Sequence, residues 1–502
     1  MFDNISTLTI LATGASIVSG YLALRKLRSG QLPLPPGPPS YPIIGQLLSM
    51  PRSSESRAFM DLSAELNSDI ISFSFLGQTI IILNSNDVSY DLFEKRSSIH
   101  SGRFCPPMIA SPKLVNMSDF VPFLDSNERW RGQRRAMNSR LSKNAMVAFR
   151  PLQELEVRRL LVRLLDSVAN SEAVSSEIFN EEFYRTTSAV FLQSVYGYEL
   201  KSPHDPFFIE NATMNTNLSR AVQPTDFLVN MLPWMEHIPD WVPGTGWKRT
   251  AYEWRAQKDR AMEGPYAWTK RRIVSGADDT SVVSLTYREN VATGLFLAGT
   301  ETTTQAMMWF LLAMAIYPEV QEKAQREIDE VVGNDRLPTV EDRASLPYIE
   351  RLLTEIMRWH PSAPLGVPHV CTEENEYRGY RIPKGAIMIG HITAISRDER
   401  VYKDADIFDP DRFLDPMVPP PPTFGWGLRI CPGIHFAKEI FFLEVAMTLA
   451  AFRVERCRAE NGEEIIPTEE TRDISSISIP LPFKVKFSAR SEQHAELIGT
   501  AV

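Results

Sequence analysis

Residues 424–452 read FGWGLRICPGIHFAKEIFFLEVAMTLAAF, and this stretch decides the fold. Gly425, Gly427 and Gly433, with Pro432, describe a tight loop that delivers Cys431 to the start of the apolar helix after it. A thiol so placed faces the positive end of the helix and its unpaired backbone N–H groups. Both favour the thiolate and soften its charge on a bound metal. Arg429 supplies a cation two residues earlier. A cysteine taken alone is more often a small inert core residue, and Cys105, Cys371 and Cys457 are read that way. The spacing F-x-x-G-x-R-x-C-x-G sets Cys431 apart from them.

That spacing, carried by Phe424, Gly427, Arg429, Cys431 and Gly433, resembles the haem-binding signature of the cytochrome P-450 superfamily at every fixed position. The resemblance implies haem b (iron protoporphyrin IX), with Cys431 as the axial ligand of the iron and Arg429 on a haem propionate. A thiolate there pushes electron density that favours O–O cleavage. Further motifs follow in the order the family requires. Glu355 and Arg358 lie three apart, on one helical face, where they can pair. With Arg412 of PDRF they resemble the family's Glu–Arg–Arg triad, a structural network that supports the cysteine loop and does no chemistry. AGTETTTQ resembles the oxygen-activation motif, with Thr302 at the threonine position and Glu301 as its acidic neighbour. The implied role of this catalytic pair is proton delivery during dioxygen activation. A hydroxyl in a helix groove loosens one turn and can hold water, which suits that role. Trp130 and Arg134 in WRGQR fit the W-x-x-x-R that binds a propionate. His369 in PLGVPH fits a further propionate contact, although a capping or core histidine would look the same.

Helical periodicity dominates the rest of the chain. Residues 291–317 are apolar nearly all round and end at Pro318, as in a helix buried at the centre of a large protein. Residues 319–332 are amphipathic, and residues 347–359 form another helix closed by Pro361. Strand signals are fewer: residues 71–83, 377–389 and the LPFKVKF run near the C-terminus. The fold class is therefore mainly α with a minor β region. The resemblance adds the cytochrome P-450 fold, preceded by one N-terminal transmembrane helix.

Residues 5–24 carry no charge over about the twenty residues that a bilayer requires. Arg25, Lys26 and Arg28 follow at once, whereas a cleaved signal peptide wants its basic residues first. The positive-inside rule puts this flank and all that follows in the cytosol, so the sequons at Asn116, Asn211 and Asn217 are poor glycosylation sites. The organisation expected is residues 1–4 luminal, 5–24 a transmembrane anchor, 25–45 a basic flank and proline-rich hinge, and 46–502 the haem-binding catalytic domain. The hinge, LPLPPGPPSYPIIG, reads as a stiff spacer; its rival is a P-x-x-P interaction ligand. The location expected is the endoplasmic reticulum membrane, single-pass.

With 43% hydrophobic and 23% charged residues the composition is globular, and a net charge of −9 argues against chain-wide nucleic-acid binding. Four scattered cysteines without a C-x-x-C pair support neither a disulfide framework nor a zinc site. The resemblance implies a monooxygenase that takes O2 and electrons from a membrane-bound NADPH-cytochrome P-450 reductase. Its style is that of fungal microsomal enzymes of secondary metabolism. The substrate walls it implies are residues 103–124, 207–227 and 364–367, the central helix, and residues 474–479. These are apolar and aromatic, which suits a terpenoid, polyketide or indole-like molecule. The rival readings are a haem-thiolate isomerase or dehydratase needing no reductase, and a non-catalytic haem-binding protein. Arg129, Arg131 and Arg135, on the helix of Trp130 and Arg134, form the expected reductase contact. Two connections, residues 413–424 and the link from Lys270 to the central helix, are shorter than is usual in the family.

Overall fold

The computed structural model describes residues 32–42, 44–51, 55–168, 173–223, 226–276, 281–283, 289–472 and 476–500. The luminal residues 1–4, the anchor at 5–24 and the basic flank at 25–28 lie outside the described residues, as does much of the link before the central helix. Among the described residues, no helix is long and apolar enough to cross a membrane.

The longer helices are α1 (Glu55–Glu65), α2 (Glu128–Leu141), α3 (Arg150–Val168), α4 (Ser176–Tyr196), α5 (Pro206–Ala221), α6 (Gly246–Val274), α7 (Glu289–Ile316), α8 (Pro318–Val331), α9 (Pro347–Trp359) and α10 (Ile434–Ala451). Their ends follow local chemistry. Asn127 caps α2 by accepting from the Trp130 N–H at 2.9 Å, and Asp205 caps α5 by accepting from the Phe207 N–H at 2.9 Å. Pro318 and Pro347 occupy first turns, where no N–H is needed. The apolar run of α7 is the core axis of the molecule: residues 307–315 are all buried. It passes so close to α4 that a Cβ on Gly299 would stand 2.0 Å from the Phe191 ring. Helix α9 buries Leu352, Leu353, Ile356 and Trp359 beside Glu355 and Arg358, and α10 is buried almost throughout.

The larger sheet has the order β1-β2-β8-β5-β3, built from β1 (Ile70–Phe75), β2 (Gln78–Leu83), β3 (Gly102–Arg103), β5 (His369–Val370) and β8 (Ile387–Gly390). The hairpin read at residues 71–83 is the β1–β2 pair, in register Ile71 with Ile82 and Phe73 with Ile80. A second sheet joins β4 (Val174–Ser175), β9 (Phe452–Arg458), β10 (Glu464–Ile465) and β11 (Lys484–Ala489), and β6 (Asn375–Tyr377) pairs with β7 (Tyr380–Ile382). The antiparallel β3–β5 pair sets Arg103 directly against His369.

The described part of the proline run is docked on the globule. The Pro33 carbonyl accepts from the Arg381 N–H at 2.8 Å, and the Pro36 carbonyl from the Ser72 N–H at 2.7 Å. The Pro35 carbonyl accepts from the Ser72 hydroxyl at 2.6 Å. These three backbone carbonyls are thereby satisfied within the chain.

Candidate active site

The cysteine loop is closed by a hydrogen bond from the Cys431 N–H to the Phe424 carbonyl at 2.8 Å. Gly425 (φ +75°) and Gly427 (φ +51°) turn it through the left-handed region. A Cβ on Gly427 would also stand 2.4 Å from the Phe93 carbonyl oxygen. Gly433 takes no part in the left-handed turn: its φ is −89°, and it is the residue before the first turn of α10. What it contributes is an N–H toward the sulfur. Burial pushes the Cys431 thiol up, while the Gly433 N–H and the nearby Arg134 guanidinium oppose that rise. A thiol in this balance becomes a thiolate when a metal takes the place of its proton.

Cys431 opens on an internal cavity of about 330 Å³. Pro432, Gly433, Phe436 and Phe424 line it beside the sulfur; Leu295, Ala298, Gly299, Thr302, Thr303 and Ala306 of α7 line it as well. Trp130, Arg134, His369 and Arg429 complete the wall, so the structure brings these sequence-derived residues to one space. Trp130 lies between two guanidiniums, Arg429 at 4.4 Å and Arg134 at 5.7 Å from its ring. Arg429 donates to the Ser101 and Leu124 carbonyls at 2.9 and 2.7 Å, and Arg134 to the Ile430 carbonyl at 2.8 Å. His369 Nδ1 bonds the His100 carbonyl at 2.7 Å, and its ring stacks on Phe93 at 4.2 Å. Burial, with Arg103 and Arg429 near, holds His369 well below the ordinary imidazole range, so it is neutral.

Arg103 is the residue the sequence did not single out. It lines the same cavity and donates to the Val367 and Pro368 carbonyls. Its Nε is buried without an acceptor. Burial, with Arg429 and Arg134 close by, pulls its guanidinium well below the usual range, and burial takes Arg429 to about 10. Among the described residues none of Arg103, Arg134 and Arg429 has a carboxylate in salt-bridge contact. Three crowded cations, one with an orphaned donor, around a cavity that ends on a thiol fit a haem with its two propionates and its iron. Cys431 would ligate the iron, and the three arginines with Trp130 and His369 would hold the propionates.

The catalytic pair divides. Thr302 faces the cavity, but its hydroxyl donates to the Ala298 carbonyl at 2.7 Å within an uninterrupted helix, so no turn is loosened. Glu301 is one helical step of about 100° away and is not part of the cavity wall. Its carboxylate accepts from Asn215 Nδ2 at 3.3 Å and Gln305 Nε2 at 3.2 Å, and burial raises its pKa.

Glu355 and Arg358 form a fully buried bidentate pair at 2.7 and 2.8 Å, and Arg412 Nε reaches the same carboxylate at 3.1 Å. Arg358 also donates to the Ser396 and Ala405 carbonyls. Of the expected substrate walls, Arg103, Val121, Pro122, Gly366, Val367 and the α7 face line the cavity. No residue of 207–227 lines the cavity, because α5 turns Asn211, Met214 and Asn215 inward as packing. Ile474 lies outside the described residues, and residues 476–479 do not reach the cavity; the Ser478 carbonyl instead accepts from Trp309 Nε1 at 3.1 Å.

The family described as Cytochrome P450 matches residues 35–487 of this chain. Cytochrome P450 monooxygenase 208 of Postia placenta is 34% identical over 516 residues, covering 98% of both chains. Cytochrome P450 monooxygenase claR of Ampulloclitocybe clavipes is 34% identical over 514 residues, covering 99% of this chain and 93% of the relative. Both alignments are longer than the 502 residues of this chain, so the relatives carry residues it lacks.

Proposed function

This chain belongs to the cytochrome P450 family and is a monooxygenase, and from that premise we propose that it oxidises an apolar fungal secondary metabolite of terpenoid, polyketide or indole-like type. In this reading its electrons come from a membrane-bound NADPH reductase. The observation that carries the reading is the cavity that ends on Cys431, where three arginines without a salt-bridged carboxylate stand ready for the haem and Val121, Leu295, Ala298 and Ala306 offer an apolar wall to the substrate. The haem supplies dioxygen activation when bound. The chain's own residues supply the rest: Cys431 the ligand, Arg103, Arg134, Arg429, Trp130 and His369 the orientation, and the α7 face a wall that excludes water.

Thr302 and Glu301 are proposed to bring protons into this apolar space. The Thr302 hydroxyl spends its proton on Ala298 and leaves its lone pairs free to accept. Glu301, with a pKa raised by burial, must leave Asn215 and Gln305 to pass a proton inward. The isomerase rival has no use for such a pair. The location proposed is the endoplasmic reticulum membrane, with residues 5–24 as the anchor and the catalytic domain cytosolic. It is supported by the exposed Trp234 (61%), Trp241 (82%) and Leu48 (62%), side chains suited to a lipid interface. Met231 of the same loop and Leu47, at the start of the catalytic domain, pack on one cluster.

The test is expression in a host making candidate scaffolds, with mass spectrometry for the product that gains one oxygen from labelled O2. In the same assay Thr302→Ala should keep consuming NADPH while product per NADPH falls roughly tenfold or more. Unchanged coupling in both Thr302→Ala and Glu301→Gln would remove the proton-delivery role, and product formed without NADPH would favour the isomerase rival.

A further inference from the structure

A column of aromatic rings leads outward from the cavity wall. Trp309 stands on α7 three residues beyond the cavity-lining Ala306, about 4.5 Å further along the axis. Its ring lies flat on His360, with centroids 3.5 Å apart and planes 2° apart. Trp359 meets His360 edge-on at 4.5 Å and lies 5.9 Å from Trp309. Tyr317 is 5.9 Å from Trp359, and Phe408 packs against both. The inner end abuts the cavity a second time: Ser362, two residues after His360, lines it and donates to the Thr302 carbonyl at 3.0 Å. At the outer end the half-buried Tyr317 donates its hydroxyl to Glu469 at 3.4 Å.

Packing alone would accept any rings here, but the proton chemistry of the column is ordered. Trp359 Nε1 is buried without an acceptor among the described residues, and Trp309 Nε1 donates to a neutral carbonyl. Neither indole can release its proton when it loses an electron. His360 is kept neutral by burial, with Arg397 and Arg358 near. Only Tyr317 has a base on its N–H or O–H. Burial pushes its phenol up to about 12, so it stays protonated until it is oxidised.

We propose that Trp309, Trp359 and Tyr317 are a relay that drains oxidising equivalents from the cofactor site when no substrate consumes them, with the hole coming to rest on Tyr317. The electron passes from Tyr317 to Trp359, to Trp309 and to the cofactor, while the phenolic proton goes to Glu469. The phenoxyl takes a hydrogen atom from a soluble thiol, which restores the phenol. Two passes, with Glu469 returning its proton to solvent after each, would deliver two electrons to the cofactor site; with two protons from solvent these would reduce one oxygen-atom equivalent of oxidant to water, while two thiols become one disulfide. The relay rests on the monooxygenase reading for the source of the oxidant and goes beyond it.

The experiment uses the full chain loaded with haem, its loading first read from the absorption band of the reduced carbon monoxide complex. A peracid is then added without substrate, and the sample is frozen within milliseconds for electron paramagnetic resonance. A tyrosyl radical is expected. It should be absent in Tyr317→Phe, which keeps the ring and removes only the hydroxyl on Glu469, and at least about tenfold weaker in Trp359→Phe. A spin trap should mark Tyr317 by mass spectrometry, and glutathione should slow bleaching of the haem in the wild type but not in Tyr317→Phe. A normal carbon monoxide band without a protein radical, or the same radical yield in Tyr317→Phe, would overturn the relay and leave the enzyme reading intact. Absence of the band in the wild type would overturn both.

Discussion

Two sets of buried arginines sit in this molecule, and they are built differently. Arg358 and Arg412 both donate to backbone carbonyls and share the Glu355 carboxylate, so their charge is answered inside the chain. Arg103, Arg134 and Arg429 also donate to carbonyls, but none has a carboxylate in salt-bridge contact among the described residues; Asp125 accepts from the Arg103 backbone N–H and acts on Arg429 only through space. A carbonyl satisfies a donor without neutralising a cation. The first set is therefore finished by folding, and the second, which has only the distant charge of Asp125, is finished by a ligand that brings negative charge.

The largest effect should come from breaking the finished set. Glu355→Ala leaves two buried guanidiniums with carbonyls but no counter-charge, a loss of about 3–5 kcal/mol from a total stability of about 5–15 kcal/mol. Denaturant unfolding should show that loss, and the variant should hold little haem. Wild-type stability would mean that the two sets do not differ in the way described.

Acid should separate the sets next. His369 touches the unfinished set, and burial also depresses His100 to about 4 and His391 to about 3. An unfolded histidine takes a proton near 6.5, whereas these do so only at lower pH. Between the two values the unfolded state binds more protons, so stability is complete above about pH 6.5 and falls as pH drops. Each such histidine contributes up to about 1.4 kcal/mol per pH unit. Carboxylates placed beside Arg103 and Arg429 would raise the His369 pKa toward normal. The loaded protein should then lose less stability than the haem-free protein between pH 7.5 and 5, measured by urea unfolding. Equal losses would show that no negative charge arrives there.

A smaller effect, with a change of sign, is expected for Arg134→Leu. Arg134 has one carbonyl bond and two like-charged neighbours, so its removal should leave the haem-free protein as stable or slightly more so. The loaded protein should release haem about tenfold faster, in line with a charged hydrogen bond of about 1.5 kcal/mol. Apomyoglobin capture of the released haem measures the rate. Destabilisation of both forms alike would place Arg134 in the finished class.

The difference between the sets also explains what could be read from sequence. Cys431, Arg429 and Phe424 fall within eight residues, and Glu355 and Arg358 within one helical turn, so local spacing displays them. Helices α8 and α9 were legible for the same reason, since their burial has a 3.6-residue period. Arg103 was not, because its place comes from a two-residue strand paired with a partner 266 residues later, and FCPPMIA beside it carries no pattern. Glu301 looked like a neighbour of Thr302 in sequence, yet one helical step turns it toward Asn215. Residues 207–227, expected as a substrate wall, do not line the cavity beside Cys431: apolar character was visible, but which surface α5 covers depends on α7 and α6.

The smallest effect is expected at a third set of arginines, on the surface. Arg129, Arg131 and Arg135 are exposed as the sequence suggested, but each has an acidic partner: Arg129 meets Asp119 at 2.5 Å, and Arg131 and Arg135 meet Glu128 at 3.5 and 2.8 Å. Exposed pairs of this kind are worth about 0.2–1 kcal/mol, and breaking one to dock an acidic partner offsets much of the gain. If this face receives the reductase, Arg135→Glu should weaken electron transfer about fivefold or less at low salt, read as the rate of first-electron reduction. Because salt screens exposed charges within about 10 Å at 0.1 M, the difference should vanish near 0.5 M. Glu128→Gln frees both Arg131 and Arg135 and should act in the opposite direction, speeding reduction at low salt. If Arg135→Glu and Glu128→Gln both leave the rate unchanged, the docking face lies elsewhere; a tenfold or larger loss that persists in high salt would mean that these exposed pairs behave like the buried sets.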